Sequence, residues 1–285
     1  MDGILVIDKP AGMTSHDVVA LVRKRLAEKR VGHAGTLDPD ATGVLVLGLG
    51  RATRLLRFIE GQEKQYVTDV ILGEETSTQD ASGAVVATAD ASALTREDVE
   101  RAAAAFVGDI EQIPPMVSAV KVGGERLYRK ARRGEEIERA SRRVTVLAFD
   151  VESFEPGALA RARMHVRCGP GTYVRTLAHD LGRALGVGGH VATLRRTHVG
   201  PFEGSAATAL DEAGAADVRP MLDAVAWYPR REVGPDEARA IAHGKALPAA
   251  GVDGPYAMVG PAGLVAMSED RDGESRPICV VGADA

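Results

Sequence analysis

The order of apolar and polar positions predicts short strands that alternate loosely with amphipathic helices. Ile4–Ile7 and Gly43–Gly50 are continuous apolar runs, which is typical of strands buried on both faces. Thr14 or Ser15 is placed to cap a helix with apolar residues at helical spacing behind it. Thr95 and Asp98 form a capping-box pattern before a second helix.

Further elements follow from the same periodicities. A short helix is predicted from Thr53, and an amphipathic helix is predicted over Val174–Leu185 with a stop at Gly186–Gly189. Strands are predicted at Tyr66–Leu72, Val144–Phe154 and Arg161–Arg167, and Val191–Val199 leads out of the last of these helices. Because strands and helices do not alternate at a steady βαβ spacing, the pattern predicts an α+β fold.

Two regions depart from this pattern. Residues 112–143 open with Ile113–Pro114–Pro115 and are predicted to form a long excursion with a short helix near Leu127–Arg133. From Trp227–Pro229 onward the chain is rich in Gly, Pro and acidic residues, with three strand patterns at Tyr256–Val259, Leu264–Met267 and Ile278–Val281. We therefore expect a large domain over residues 1–228 and a small β-rich domain over 229–285.

Composition excludes several classes of protein. The 285 residues are 45% hydrophobic and 26% charged, which is ordinary for a globular protein and excludes collagen, coiled coil and wholesale disorder. No apolar run approaches the roughly 20 residues of a membrane span, and the first ten residues do not resemble a signal peptide. Cys168 and Cys279 are far apart in sequence, which argues against a disulfide framework. A cytoplasmic location is expected.

The net charge of −5 hides an uneven distribution. Residues 201–285 hold seven Lys/Arg and fourteen Asp/Glu, whereas residues 121–143 hold nine Lys/Arg against four Asp/Glu. Binding to phosphates depends on where positive charge lies, so this local cluster keeps nucleic acid open as a partner of an acidic protein.

The segment Val31–Gly43, VGHAGTLDPDATG, is too polar for a core element and too rich in Gly and Pro for a helix. It is predicted to be a shaped loop that leads directly into the apolar strand Gly43–Gly50. An aspartate on a rigid loop at the mouth of a strand can act as a nucleophile or a base. Asp38–Pro39 is also a good start for an ordinary Asx-turn, so both interpretations stay open here. No phosphate-loop pattern is present.

Six segments carry recognisable motifs in a fixed order. They are GILVIDKPAGMTSHDVV at Gly3–Val19, VGHAGTLDPDATGVLVLGLGRATR at Val31–Arg54, KQYVTDVILG at Lys64–Gly73, PPMVSAVKVGGERLYRKARRG at Pro114–Gly134, GTYVRTLAHDLGRALG at Gly171–Gly186 and LRRTHVGPF at Leu194–Phe202. Together they cover most of residues 3–202. In this order and spacing they resemble the bacterial tRNA pseudouridine synthases of the TruB type.

The resemblance implies an isomerase that converts uridine to pseudouridine in the T loop of tRNA, at the position conventionally numbered 55. It assigns the nucleophile to the aspartate of GTLDP, here Asp38, which attacks the sugar C1′ or the base or helps to form a glycal. It implies no cofactor and no metal. The implied fold is the α+β pseudouridine synthase catalytic domain, with a mixed, largely antiparallel sheet and a small C-terminal PUA-like domain.

The resemblance also implies the surroundings of Asp38. A nucleophilic carboxylate needs a nearby cation, and Arg175 resembles the family's arginine for that role. Tyr66 and Tyr173 resemble the active-site tyrosines, and Tyr66 is a candidate to take the C5 proton. His33 resembles a histidine that contacts the RNA, and Leu194 an apolar residue of the pocket wall. Without the resemblance each of these would be interpreted as an ordinary core or surface residue.

A thumb that grips RNA is implied for the excursion at residues 112–143. Its proposed phosphate-binding residues are Lys121, Arg126, Arg129, Lys130, Arg132 and Arg133. The partner is the T-arm stem-loop of tRNA, with no membrane and no obligate protein partner. Ser77, in EETSTQD, stands where the family often has an acidic residue, and this position is expected to lie away from the chemistry.

Three alternative functions share part of this pattern. A guide-RNA-dependent relative would share the Asp38 chemistry but need protein partners. A non-catalytic RNA-folding factor would grip the tRNA elbow without needing the Asp38 loop. A glycosidase would need a second, paired acid, which the sequence does not offer.

Overall fold

A ten-stranded mixed sheet forms the centre of the protein, in a computed structural model that describes residues 1–116, 118, 121–122, 125–126, 133 and 137–282. Its strands are β1 (Gly3–Lys9), β2 (Val31–Ala34), β3 (Thr42–Leu49), β4 (Lys64–Leu72), β7 (Gly108–Gln112), β10 (Arg142–Glu155), β11 (Ala160–Cys168), β12 (Gly189–Val199), β13 (Phe202–Glu203) and β14 (Thr208–Ala209). Two hairpins stand apart from it, β5 (Glu74–Thr76) with β6 (Val85–Thr88) and β8 (Lys121–Val122) with β9 (Glu125–Arg126).

The strand order is β14-β1-β3-β12-β4-β11-β10-β7, with β2 beside β3 and β13 beside β12. Among the described pairs, β1 with β14 and β3 with β12 are parallel, and the others are antiparallel. The predicted α+β fold with a mixed, largely antiparallel sheet is therefore confirmed. Between β3 and β4 lies β12, which comes from more than a hundred residues later in the chain.

The described helices lie on the faces of the two sheets. The α-helices are α1 (Ser15–Arg25), α2 (Leu56–Glu60), α3 (Arg96–Ala104), α4 (Val174–Ala184) and α5 (Pro235–Ala242). The 3-10 helices are Gly50–Leu55, Gly204–Ala206, Ala215–Asp217 and Met221–Val225. None of the helices in the described part of the chain has the length and apolar character needed to cross a bilayer.

Burial on both faces explains the continuous apolar runs of β1 and β3. Leu5 and Leu47 contribute to one hydrophobic cluster, while Val6 and Val46 contribute to a second cluster on the opposite face. In contrast, β11 alternates buried and exposed residues along its whole length, because one of its faces meets solvent. The periodicity of each strand therefore reports how many of its faces are covered.

Both predicted helix caps are observed. Thr14 accepts a hydrogen bond from the backbone N–H of Asp17, and the Asp17 carboxylate accepts one from the Thr14 N–H. Thr95 and Asp98 form the same reciprocal pair at the start of α3. Each box satisfies backbone N–H groups that the first helical turn leaves without partners.

Three details of the sequence prediction were wrong. Val31–Ala34, predicted as loop, is strand β2, because the free edge of β3 pairs with it and Val31 and Ala34 are buried. The short helix predicted from Thr53 begins at Gly50 as a 3-10 turn and continues as α2. No helix was predicted at Pro235–Ala242, where α5 packs on the C-terminal sheet.

The short helix predicted near Leu127–Arg133 lies outside the described residues, except for the exposed turn residue Arg133.

A five-stranded sheet forms the C-terminal region, as the sequence predicted for a small β-rich domain. Its strands are β15 (Arg230–Glu232), β16 (Leu247–Pro248), β17 (Tyr256–Gly260), β18 (Gly263–Arg271) and β19 (Glu274–Val280), in the order β15-β17-β18-β19-β16. Val259 and Met267 of this sheet belong to the same hydrophobic cluster as Val44 of the large sheet. The two sheets therefore both contribute to this hydrophobic cluster.

Candidate active site

The loop between β2 and β3 presents Asp38 at the protein surface. Leu37 and Ala41 anchor the loop in the core, and a turn closes where the Ala41 N–H donates to the Asp38 carbonyl at 3.2 Å. Gly35 has φ +84°, a left-handed conformation that favours glycine. With both ends fixed, the Asp38 side chain keeps 36% of its surface exposed.

Two buried polar side chains from the N-terminal segment hold the backbone of this loop. The Lys9 ammonium, fully buried, donates to the Pro39 carbonyl at 2.9 Å. The Ser15 hydroxyl accepts from the Leu37 N–H at 2.9 Å and donates to the Leu37 carbonyl at 3.2 Å. Burial lowers the pKa of Lys9 to about 8, although the charges of Asp40 and Asp38 oppose that shift. The loop is therefore tied to β1 and α1 through its backbone.

A buried arginine on β12 binds the same loop from the other side. Arg196 is 1% exposed and donates to the carbonyls of Gly35 at 3.1 Å, Thr36 at 3.4 Å and Val44 at 2.8 Å. Arg196 is not among the site residues predicted from the sequence. The signal that could have identified Arg196 is a charged residue at a strand position whose side chain, by the alternation of the strand, faces the core.

Asp38 and Arg175 form a two-point ion pair. The Arg175 Nε lies 2.8 Å from Asp38 Oδ2, and its Nη2 donates to Asp38 Oδ1 at 3.0 Å. Arg175 is only 3% exposed and lies in the first turn of α4, where the helix dipole disfavours a cation. A solvated surface arginine is therefore excluded, and the position is explained by the acidic partners that face it.

The second acidic partner of Arg175 is Asp80. Its Oδ2 accepts from Arg175 Nη1 at 3.1 Å, and the same Nη1 donates to the Thr78 carbonyl at 2.9 Å. Both residues belong to the segment EETSTQD that contains Ser77. Residues 78–80, directly after Ser77, fold back onto α4 and contact Arg175. Asp80 is a site residue that sequence reasoning missed.

Opposing effects set the protonation of Asp38. Burial raises the pKa of the Asp38 carboxyl, and the nearby Asp80 carboxylate acts in the same direction. The Arg175 guanidinium lowers this pKa through its charge and its hydrogen bonds, and Lys9 adds to that effect. The net result is a pKa above the usual aspartate value, in a carboxylate that Arg175 holds in a fixed orientation.

Tyr66 lies on β4 with its side chain buried in the core cluster. It pairs in register with Arg196 on β12, and burial raises the pKa of its hydroxyl while the charge of Arg196 lowers it. Arg196, the strand partner of Tyr66, also binds the backbone of the Asp38 loop. The structure therefore links the strand of Tyr66 to the loop that presents Asp38 to Arg175.

Tyr173 caps the start of α4 and is fixed through its backbone. Its N–H donates to the Gln112 side-chain oxygen at 2.8 Å, and the Gln112 amide donates to the Tyr173 carbonyl at 3.0 Å. The Arg142 guanidinium lies over the tyrosine ring, 4.7 Å from its centroid. Tyr173 directly precedes the helix that carries Arg175. Gln112 is fully buried and holds the backbone at the start of that helix, and it is not among the site residues predicted from the sequence.

His33 and Leu194 lie on strands adjoining the site. His33 on β2 packs its ring edge-on against His16 of α1, with 5.2 Å between the centroids. Leu194 on β12 is partly buried against the main core cluster, two residues before Arg196. Asp40 is exposed, as expected for a solvated turn residue.

The predicted thumb is described only in part. Lys121 and Arg126 lie opposite each other in the β8–β9 hairpin, and Arg133 is an exposed turn residue. Arg129, Lys130 and Arg132 lie outside the described residues. No group of three or more His, Cys, Asp or Glu side chains that could bind a metal occurs within the described ranges.

Comparisons with known proteins identify the family of this arrangement. The model of the TruB family pseudouridylate synthase N-terminal domain matches residues 23–174. The tRNA pseudouridylate synthase B C-terminal domain matches residues 175–225, and the C-terminal domain of tRNA pseudouridine synthase II matches residues 228–282. All three models describe one kind of protein and follow one another along the chain.

Individual relatives and solved structures agree with these matches. The chain is 47% identical to tRNA pseudouridine synthase B of Thermobifida fusca (strain YX) over 287 residues, 98% of each chain. It is 52% identical to that of Symbiobacterium thermophilum over 248 residues, 86% of this chain and 83% of the relative. A crystal structure of a Cbf5-Nop10-Gar1 complex shares the fold with a TM-score of 0.76 and 28% identity, over 99% of this chain and 85% of that one. The chain therefore belongs to the TruB family of pseudouridine synthases, which are tRNA-modifying isomerases.

Proposed function

We propose that this protein isomerises uridine to pseudouridine in the T loop of tRNA, at the position conventionally numbered 55, with Asp38 as the nucleophile. The observation that carries the proposal is the two-point contact between Arg175 and a carboxylate that remains 36% exposed. A buried cation holds one face of the carboxylate, and the open face is free to meet a substrate. The relatives that cover nearly the whole chain are named as tRNA pseudouridine synthases.

The proposed reaction is an isomerisation without a co-substrate. The C1′–N1 bond of uridine breaks, the base rotates, and C1′ bonds to C5. The C5 proton leaves and N1 gains a proton, so that atoms and electrons balance within the substrate and solvent. Asp38 supplies the negative charge that acts on the sugar or the base, and Arg175 keeps the carboxylate oriented for that encounter.

The other residues have roles in holding the base. Tyr66, next to Asp38, contacts the extracted base and is placed to take the C5 proton. Tyr173 and Leu194 line the pocket, and His33 contacts the RNA close to the target. An enzyme that acts on C1′ of a stacked nucleotide must extract it, at a cost of a few kcal/mol. Phosphate contacts from the thumb offset that cost.

The direct test is incubation of the purified protein alone with an unmodified tRNA transcript, followed by mapping of pseudouridine. We expect one modified uridine in the T loop. Activity that appears only with an added guide RNA and protein partners would instead support the guide-dependent alternative. Binding without any modification would support the RNA-folding factor. A transcript with cytidine at the target position is the control for site assignment.

Asp80→Asn is expected to shift the acid limb of the pH profile to lower pH. The Asp80 charge raises the pKa of Asp38, so its removal lowers that pKa and keeps Asp38 ionised in more acidic solution. The plateau rate should fall as well, because Arg175 loses one of its two carboxylate partners. The measurement is kcat/KM against pH.

The matched control for this shift is Asp40→Asn, which removes an exposed carboxylate two residues from Asp38. Its acid limb should coincide with that of the wild type. An Asp80→Asn limb that moves to higher pH, or does not move, would contradict the electrostatic role assigned to Asp80.

Neutralising Arg129, Lys130, Arg132 and Arg133 together is expected to flatten the salt dependence of tRNA binding. If each contacts a phosphate, the slope of log affinity against log salt falls by up to about three to four units, because fewer counterions are released. The control neutralises four exposed cations of the acidic C-terminal region, Arg230, Arg239, Lys245 and Arg276. Equal slopes for the wild type and the thumb variant would show the cluster to be an ordinary solvated surface.

A further inference from the structure

Arg196 occupies the place where three segments of the site meet. It lies on β12 between β3 and β4, in register with Gly43 on one side and with Tyr66 on the other. Gly43 has φ +101°, and a Cβ there would lie 2.1 Å from the Arg196 carbonyl oxygen, so the two backbones approach more closely than a side chain allows. The strand that carries Arg196 is therefore seated directly against the end of the Asp38 loop.

The Arg196 guanidinium donates three hydrogen bonds to backbone carbonyls at the two ends of that loop. It donates to the carbonyls of Gly35 and Thr36, just ahead of Asp38, and to the carbonyl of Val44, just after the loop. These carbonyl acceptors carry no net charge, yet Arg196 is 1% exposed. Burial of a guanidinium carries a large desolvation cost, and an apolar side chain would fill the same space without it. The position therefore calls for a reason beyond packing.

Tyr66 supplies that reason. Arg196 and Tyr66 are direct cross-strand partners and both are buried, so their side chains are neighbours on one face of the sheet. One planar group is thus bonded to the loop that carries Asp38 and lies beside the side chain of Tyr66. A rigid fork with five donors can serve several acceptors at once, whereas an ammonium on a flexible stem cannot hold the same geometry.

We propose that Arg196 is a positioning residue that fixes the distance and orientation between Asp38 and Tyr66, because its guanidinium binds the loop backbone while its strand position sets it beside Tyr66. This role rests on the proposed function, in which the two groups act on the same nucleotide. A relative displacement of either group would leave substrate binding intact and slow the chemical step.

The experiment compares Arg196→Lys and Arg196→Gln, each alone and combined with Tyr66→Phe, for kcat and KM on unmodified tRNA. Lys9→Gln is the matched control, because Lys9 also ties the loop, through Pro39, and its strand partner is Gly43 on β3, not Tyr66. Circular dichroism and thermal unfolding of every variant report whether the fold is retained.

We expect Arg196→Lys to lower kcat by about a hundredfold with KM nearly unchanged, and Arg196→Gln to lower it further. The Arg196→Lys and Tyr66→Phe losses should overlap, so the double variant is at least about fivefold faster than the product of the single losses predicts. The Lys9→Gln and Tyr66→Phe losses should multiply to within about twofold.

Three results would overturn the inference. Multiplicative losses for Arg196 and Tyr66 would show that the arginine acts on the loop alone. A raised KM with unchanged kcat would place it in substrate binding. Failure of both Arg196 variants to fold would make it a residue of general stability. If the wild-type protein forms no pseudouridine, the proposed function fails instead, and that outcome is separate from all three.

Discussion

Asp38→Asn is expected to abolish pseudouridine formation, with a loss of at least about ten-thousandfold in kcat, the scale seen when a nucleophile is removed. The amide has the shape of the carboxylate, and the loop is held through its backbone by Lys9, Ser15 and Arg196. The loop conformation should therefore survive. What the variant lacks is the negative charge that attacks the substrate or assists glycal formation.

Binding should separate from catalysis in this variant. Because the thumb and the pocket walls are untouched, the affinity for tRNA should stay within about tenfold of the wild type. The measurements are single-turnover pseudouridine formation and equilibrium binding to the same transcript, with mass spectrometry to exclude deamidation back to aspartate. Asp40→Asn, in the same loop, is the control and should retain activity. Near-wild-type turnover by Asp38→Asn would refute the nucleophile assignment.

Arg175→Ala is expected to lower kcat by at least about a hundredfold, because the carboxylate loses both the bonds that orient it and the charge that keeps it ionised. Arg175 lowers the pKa of Asp38, so its removal raises that pKa. The remaining activity should then disappear at a higher pH than in the wild type as the solution is acidified. Arg175→Lys should recover part of the charge effect and little of the orientation, since lysine offers a single point charge.

The chain offers a matched control on its surface. Arg195 binds Asp8 through two contacts of 3.0 and 2.8 Å, the same two-point geometry, but both side chains are substantially exposed. Exposed ion pairs contribute little, so Arg195→Ala should retain near-wild-type kcat and an unshifted acid limb. If Arg175→Ala kept more than a few per cent of the wild-type rate, the argument that Asp38 depends on its cation would be wrong.

Local sequence determined the elements whose cause is local. Thr14 and Thr95 begin their helices because the acid three residues later completes a capping box. The apolar runs of β1 and β3 predicted strands covered on both faces, and the small β-rich C-terminal domain followed from three short strand patterns. The density of Gly, Pro and polar residues around Asp38 marked a shaped loop, and the ordered motifs indicated the family.

The partners of Asp38 were decided by the tertiary structure. The resemblance named Arg175, which lies 137 residues away in sequence, but not the geometry of the pair. No sequence pattern pointed to Asp80 or Arg196 as site residues, and the polar, Gly-rich composition of Val31–Ala34 predicted loop where the structure has β2. Hydrophobic periodicity reports whether a position is buried, and it does not report what the position faces. Only the strand order β3-β12-β4 brings Arg196 between the Asp38 loop and Tyr66, and only the fold-back of residues 78–80 onto α4 brings Asp80 to Arg175. These contacts depend on how segments distant in sequence are arranged in the fold, and no local pattern of residues determines that arrangement.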